Sequence, residues 1–440
     1  MHLVHEEQPL PSEADVVIIG GGIVGCAAAY DLARAGVSVA LLEKGAIANE
    51  QSSRNWGWVR QNGRRLVEVP MAVASRQIWE QFARDLGEDI GWAQDGNIDV
   101  AYTHDEMALF RDWGRRAADL GLSTQVLAPG EVAEFVPGIT GSIVGGNYSP
   151  TDGQADPHRA PAAISRAAAR EGATVVENCA VERIARRNGR VAGVVTDRGT
   201  IRAGTVIVAA GAWSTRLLWK LGLRLPQRPI RNTVVATTPT QPVTRLVVWA
   251  DGVSLRQDDT NRWILSGGGR SDHDLGVDTA RFFRSFAGGL WDARRRGDAA
   301  INFTRDTFYD GATILPRTPG YRHPWKVVRN REPEPNLRNA WETFQNFRHT
   351  LPDIGPIGIE RTWSGYIDYT PDAVPVLDAP GDPDGLVIAS GFSGHGFAMG
   401  PMGGRLAAEL AQGRTPSLDL HPFRLARFAE GDTHEHDLHF

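Results

Sequence analysis

Two cysteines in 440 residues exclude a disulfide framework, and the absence of any CxxC pair excludes the common thiol redox motif. Lysine is almost missing, present only as Lys44, Lys220 and Lys326, so arginine carries the basic charge. The formal net charge is −5 and the pI near 6.2, which give no basic surplus for binding nucleic acid or an anionic membrane. No apolar run reaches the roughly 20 residues that a membrane span requires. The first fifteen residues carry Glu6, Glu7 and Glu13 and lack the apolar core of a secretory signal, so a cytoplasmic location is expected. The histidines of the last segment, Thr433 to Phe440, read as a solvated tail, and no metal site is expected. Composition leaves the oligomeric state open.

Glycine, at 49 residues, is plentiful, and its placement is informative. Asp15-Val16-Val17-Ile18-Ile19-Gly20-Gly21-Gly22-Ile23-Val24-Gly25 reads as a buried strand, a tight turn and the start of a helix, with Gly20, Gly22 and Gly25 in GxGxxG spacing. A second apolar run ends at Glu43, about 20 residues on, where a carboxylate accepts hydrogen bonds from a ribose. Strand, glycine turn, helix, strand and acid together predict a dinucleotide site, with the pyrophosphate at the helix N-terminus.

Farther along, Arg159 to Arg170 reads as an Ala-rich helix, while Ala173 to Val176 and Val191 to Thr196 read as strands. A short apolar strand ends in Ala209-Ala210-Gly211, and Leu386 to Ala389 is another buried strand. Ser390-Gly391-Phe392-Ser393-Gly394-His395-Gly396-Phe397 follows it as a glycine-rich loop, with a helix expected from about Met402 to Ala411. Inserts at 81–149 and 223–360 carry longer strands, amphipathic helices and many aromatics.

The N-terminal fingerprint, Thr205 to Ser214, Thr370-Pro371-Asp372-Ala373-Val374-Pro375-Val376 and Ser390 to Phe397 together resemble the D-amino acid oxidase and glycine/sarcosine oxidase family. The blocks keep the family's order and span most of the chain. The resemblance implies an α/β fold in which a Rossmann-like FAD-binding domain (1–80, 150–222 and 361–430) is interleaved with an α+β substrate domain built on a large antiparallel sheet (81–149 and 223–360), followed by a tail at 431–440. It implies oxidation of the carbon–nitrogen bond of an amino acid or secondary amine by hydride transfer to FAD N5, giving an imine that hydrolyses. The partners implied are a small amine or amino acid and either O2 or another electron acceptor. A flavoprotein subunit that passes electrons to a partner remains an alternative. An NAD-dependent Rossmann dehydrogenase would leave the Ser390 to Phe397 block unexplained.

By the same resemblance, Gly20, Gly22, Gly25, Glu43, Lys44, Val181, Ala210, Gly211 and Trp213 hold the nucleotide. Ser52, Ser53, Arg54, Asn55 and Trp56 pass beside the flavin, and Gly391, Gly394, His395, Gly396 and Phe397 face its pyrimidine carbonyl. Two indoles around Gly57 are costly on an exposed loop, which favours a flavin-facing segment. Trp58, Tyr366 and Tyr369 are candidates for an apolar substrate cage, and His395 reads either as a base or as a loop residue near the cofactor.

Departures from the family matter too. Trp363 to Tyr369 lacks the cysteine that tethers FAD in sarcosine-oxidase-like members, so the cofactor is expected to be non-covalent. The Arg-Pro pair that grips a substrate carboxylate in many amino acid dehydrogenases of the family is replaced by Ile367-Asp368. The carboxylate ligand is then sought among Arg60, Arg270 and Arg348, because guanidinium binds carboxylate bidentately. Asp368 is equally readable as a site for a cationic amine or as a strand-end structural carboxylate. Arg60 follows the indoles and is expected either to place positive charge at the reacting centre or to form an ion pair. The strand Arg262 to Gly268 lacks the lysine that speeds oxygen reduction in some oxidases of the family, which weakens an oxidase reading.

Overall fold

The computed structural model describes residues 9–267, 271–296, 299–304, 307 and 329–434. Val16–Ile19 is an unbroken apolar strand with all four residues buried, as a strand covered on both faces must be. It is central to a six-stranded sheet, flanked in parallel by Val39–Leu42 and Thr205–Val208. Thr174–Val176 extends the sheet on one side, and Leu386–Ser390 with antiparallel Val376–Asp378 on the other. Ribbons that are hundreds of residues apart in sequence thus build one nucleotide-binding sheet.

Helix Ile23–Arg34 follows the first strand and is rich in alanine. Its small side chains let Arg159–Arg170 and Gly396–Ala411 pack closely against it. At Gly25 a Cβ would come 2.0 Å from the Gly20 carbonyl oxygen, and at Gly404 it would come 2.6 Å from that of Val24. Neither contact is possible, so these glycines are set by helix packing. This corrects one expectation. The last helix starts at Gly396 rather than near Met402, because the glycines that read as loop supply its close-packed face.

The second large element is a ten-stranded, mainly antiparallel sheet. Its long central strand Arg228–Thr237 pairs antiparallel with both Trp263–Gly267 and Ile359–Tyr369. Asn97–Ala101 and Gly145–Ser149 join farther out. One face packs on helix Leu337–Thr350, with Trp263, Leu265, Phe344 and Phe347 in the core. The boundary expected at residue 361 cuts through the strand Ile359–Tyr369, which is a full member of this sheet. That strand leads directly into the Thr370-Pro371-Asp372 turn, so it joins the two sheets. Arg427 is fully buried and clamps the turn, donating to both Asp372 oxygens at 2.8 and 3.0 Å and to the Val374 carbonyl at 2.7 Å. Burial alone would raise the Asp372 pKa, but Arg427 outweighs it and holds the carboxyl below its usual range.

Candidate active site

A cavity of about 900 Å³ runs from the glycine turn of the six-stranded sheet to the inner face of the ten-stranded one. At the first end Gly20, Gly22, Glu43 and Lys44 lie on the wall. A Cβ at Gly22 would reach within 3.0 Å of Ser52 Oγ, which accepts a hydrogen bond from Ile23 N at 2.9 Å. Glu43 accepts from Gly21 N and Gly45 N, each at 2.8 Å, so the carboxylate braces the turn. Burial pushes its pKa up, opposed by Lys44 and by these two amides. A helix N-terminus over a glycine turn, with a fixed carboxylate beside it, is the donor and acceptor set that a pyrophosphate and a ribose need. The residues fit a dinucleotide.

Lys44 donates to the Arg329 carbonyl at 2.6 Å and pairs with Glu50. Val181, Ala210, Gly211 and Trp213 also line this end. Gln51, which the sequence reading missed, ties the walls together. Its Oε1 accepts from Ala212 N and its Nε2 donates to Asp368 Oδ1, both at 2.9 Å. Glu50, likewise missed, accepts from Trp213 Nε1 at 2.9 Å. No motif marks either residue; only the folded loop shows their reach.

Ser52, Arg54, Asn55 and Trp56 lie on the cavity wall, as do Gly394, His395, Gly396 and Phe397. Gly25, Ser53 and Gly391 are not on this wall, and Gly25 has the helix-packing role that its place in the fingerprint implies. Ser53 is buried with its hydroxyl near the Glu50 carbonyl at 3.3 Å, and Gly391 N donates to Asp368 Oδ2 at 2.8 Å. Both Asp368 oxygens are thereby engaged, by Gln51 and by Gly391. Burial raises its pKa, against the pull of those donors. Thr370 N donates to Ser393 Oγ at 3.1 Å, so the Thr-Pro-Asp turn and the glycine loop are stitched together. His395 Nδ1 lies 3.0 Å from Glu68 Oε1. Burial lowers the imidazole pKa although Glu68 works to raise it.

At the other end Trp56 and Trp58 meet edge to face, with centroids 6.1 Å apart. Arg60 also lines the cavity, but its Nη2 is 2.6 Å from Asp99 Oδ2, and Asp99 is 1% exposed. Its charge is therefore balanced within the protein. Tyr366 is a lining residue whose hydroxyl is fixed on Asp274 Oδ2 at 3.0 Å. Tyr369, at the end of the same strand, also lines the cavity. Arg348 is not here: it lines a separate surface groove with Trp341, His349 and Ile357, because it sits on the side of its helix turned away from the cavity. This corrects its expected substrate role. Arg270 and residues 320–328 of the insert lie outside the described residues. Among described residues, the strand Trp263–Gly267 contributes nothing to this wall.

Arg228, Asn232 and His273 are also on the wall and were not singled out in the sequence. Arg228, Ile230, Asn232 and Val234 alternate along one strand, and all four face the cavity. Among the described residues no group of His, Cys, Asp and Glu is arranged to hold a metal, and no helix is long and apolar enough to cross a membrane.

The profile of the DAO family, described as FAD dependent oxidoreductase, matches residues 15–410. Glycine oxidase of Geobacillus kaustophilus is 28% identical over 424 residues, covering 94% of this chain and 97% of its own. Mitochondrial sarcosine dehydrogenase of Mus musculus is 27% identical over 437 residues; the match takes in 96% of this chain but 42% of that longer protein. Among solved structures, L-amino acid deaminase from Proteus myxofaciens, in complex with anthranilate, superposes with a TM-score of 0.89 at 24% identity. That match covers 97% of this chain and 96% of the other, and it shows likeness of fold.

Proposed function

Because the chain belongs to the DAO family of FAD-dependent oxidoreductases, we propose that it oxidises the carbon–nitrogen bond of an amino acid or secondary amine. The observation that carries this is the single cavity that joins the dinucleotide cradle to an aromatic wall on the large sheet. Relatives named for glycine and sarcosine, both small amino acids, support the substrate class. Bound FAD supplies the hydride acceptor. Gly20, Gly22 and the start of helix Ile23–Arg34 would hold its pyrophosphate, and Glu43 its ribose. The loop from Ser390 to Phe397, anchored through Asp368 and Ser393, would supply backbone amides to the flavin.

The chain's own part in the reaction is positioning and exclusion of water. Trp56, Trp58, Ile230 and Val234 form an apolar surface that favours an amine in its neutral form. A neutral amine has the lone pair that expels hydride from its α-carbon, and an apolar surface beside it limits the water at the reacting carbon. His395, held by Glu68, orients the helix start without acting as the base. FAD is held without a covalent bond: Cys26 is buried in the nucleotide helix, and burial keeps the Cys179 thiol protonated. Electrons leave to O2 or to another acceptor in a second half-reaction, and the enzyme works in the cytoplasm.

Product analysis tests this reading. Turnover with an amino acid or N-methyl amino acid should release ammonia or the primary amine in equal amount to a carbonyl product. Release of a carbonyl product from an acyclic amino acid or N-methyl amino acid with the substrate nitrogen retained on it would overturn the assignment.

A further inference from the structure

Among the described residues, buried arginines have a carboxylate or, like Arg256 with the Trp56 carbonyl and Gln154 Oε1, another acceptor, and Arg228 at the substrate end stands apart from them. Arg60 has Asp99 at 2.6 Å, Arg231 has Asp274 at 2.8 Å, and Arg427 has Asp372 at 2.8 Å. Arg228 is 6% exposed and lines the cavity, yet its guanidinium is hydrogen-bonded to no described residue, and its Nε is buried without a partner. Its guanidinium lies over the Phe286 ring, 4.6 Å from the centroid. A buried guanidinium without an anion is costly, and this one opens on the space where substrate must sit. The cost shows in its acidity: burial pulls the Arg228 pKa down to about 10, offset by Tyr369.

Its neighbours sharpen the picture. Arg228 is the direct cross-strand partner of Tyr369, which also lines the cavity. Tyr369 directly follows Ile367-Asp368, the pair that stands where an Arg-Pro was expected. The missing cation is thus present one strand over, on Arg228–Thr237, at the same level of the sheet. His273 is on the next strand, 7% exposed, with Nδ1 buried and unpartnered. Burial and the Arg228 charge push its pKa down to about 3, so the imidazole adds hydrogen-bonding capacity but no charge. An anionic oxygen pair is the ligand group that a lone guanidinium flanked by a phenol and a neutral imidazole accommodates.

We propose that Arg228 anchors the substrate's carboxylate, with Tyr369 and His273 beside it, so that the substrate is an amino acid rather than a simple amine. This rests on the carbon–nitrogen reading and names its substrate class. The fork of the guanidinium fixes the carboxylate, and with it the face of the α-carbon that is presented for oxidation.

The test uses FAD-loaded enzyme and two probes, benzoate and its neutral isostere benzamide, followed by the flavin absorption change. Benzoate should bind the parent, with Kd raised on the order of 100-fold in R228M. Benzamide should bind both proteins alike. R228K keeps the charge but loses the fork, so an intermediate benzoate Kd is expected, and it serves where R228M fails to retain FAD. Equal benzoate affinity in the parent and in either FAD-loaded variant would overturn the proposal, as would no benzoate binding by the parent. A second arm compares anaerobic flavin reduction by alanine and ethylamine, and by sarcosine and dimethylamine. Reduction by the carboxylated member of a pair alone supports the anchor. Equal reduction by both members defeats the anchor and leaves carbon–nitrogen oxidation standing. Should no amine of either kind reduce the flavin, the carbon–nitrogen reading fails, and the benzoate titration still decides the anchor.

Discussion

The two ends of the cavity are built by different logic. At the nucleotide end the glycine turn's polar groups are satisfied from the same N-terminal stretch of chain: Glu43 with Gly21 and Gly45, and Ser52 with Ile23. At the substrate end the groups come from strands far apart in the chain, and sheet register brings them together, as with Arg228 opposite Tyr369 or Arg231 with Asp274. The first end is self-contained before its ligand arrives, whereas the second leaves a cation uncompensated. A cofactor site common to a family can be written in local motifs. Selectivity is written in register, where each strand changes independently.

The largest effect is expected where the two ends should separate most clearly. In Gly25→Val the new side chain would have to occupy the space of the Gly20 carbonyl oxygen, 2.0 Å from its Cβ. Purified protein should be colourless or insoluble, read as flavin absorbance per chain. Full FAD content would show that the glycine turn does not form the cradle.

Next in size is the joint between the ends. Arg427→Met leaves Asp372 buried without its cation, which is expected to cost about 3–5 kcal/mol of stability. Chemical denaturation would measure this. A loss below about 1 kcal/mol would mean that the Thr-Pro-Asp turn is held by something else.

A smaller effect is expected at Arg60. Its partner Asp99 still accepts from Asn62 Nδ2 at 2.8 Å and from Asn97 Nδ2 at 3.2 Å, so Arg60→Met should cost about 1–3 kcal/mol. Adding Asp99→Asn should recover part of that loss, since the buried charge is removed with its partner. Flavin reduction should stay near the parent rate in either variant. A fall on the order of 100-fold with stability unchanged would put Arg60 at the reacting centre instead.

Legibility in the sequence follows the same division. Gly20, Gly22 and Glu43 could be placed from spacing because strand, turn and helix are contiguous, and so could the apolar strands at Val16–Ile19 and Leu386–Ser390. The glycines at 396 and 400 misled, since close helix packing and a flexible loop use the same residue type. Arg348 and Arg228 are the same residue in the sequence and opposite in the fold: one faces an outer groove and the other the cavity. That choice depends on strand register and helix facing, which a single sequence does not specify at the resolution of one residue. Gln51 went unseen because its partners, Ala212 and Asp368, are more than 150 residues away.

The most direct measurement of the central claim is anaerobic mixing of the FAD-loaded enzyme with a panel of amino acids, N-methyl amino acids, cyclic amines and the matching 2-hydroxy acids, followed at the flavin absorption band. The account predicts rapid bleaching by at least one carboxylate-bearing amine and none by its hydroxy counterpart. Bleaching by a hydroxy acid, with every amine silent, would contradict it.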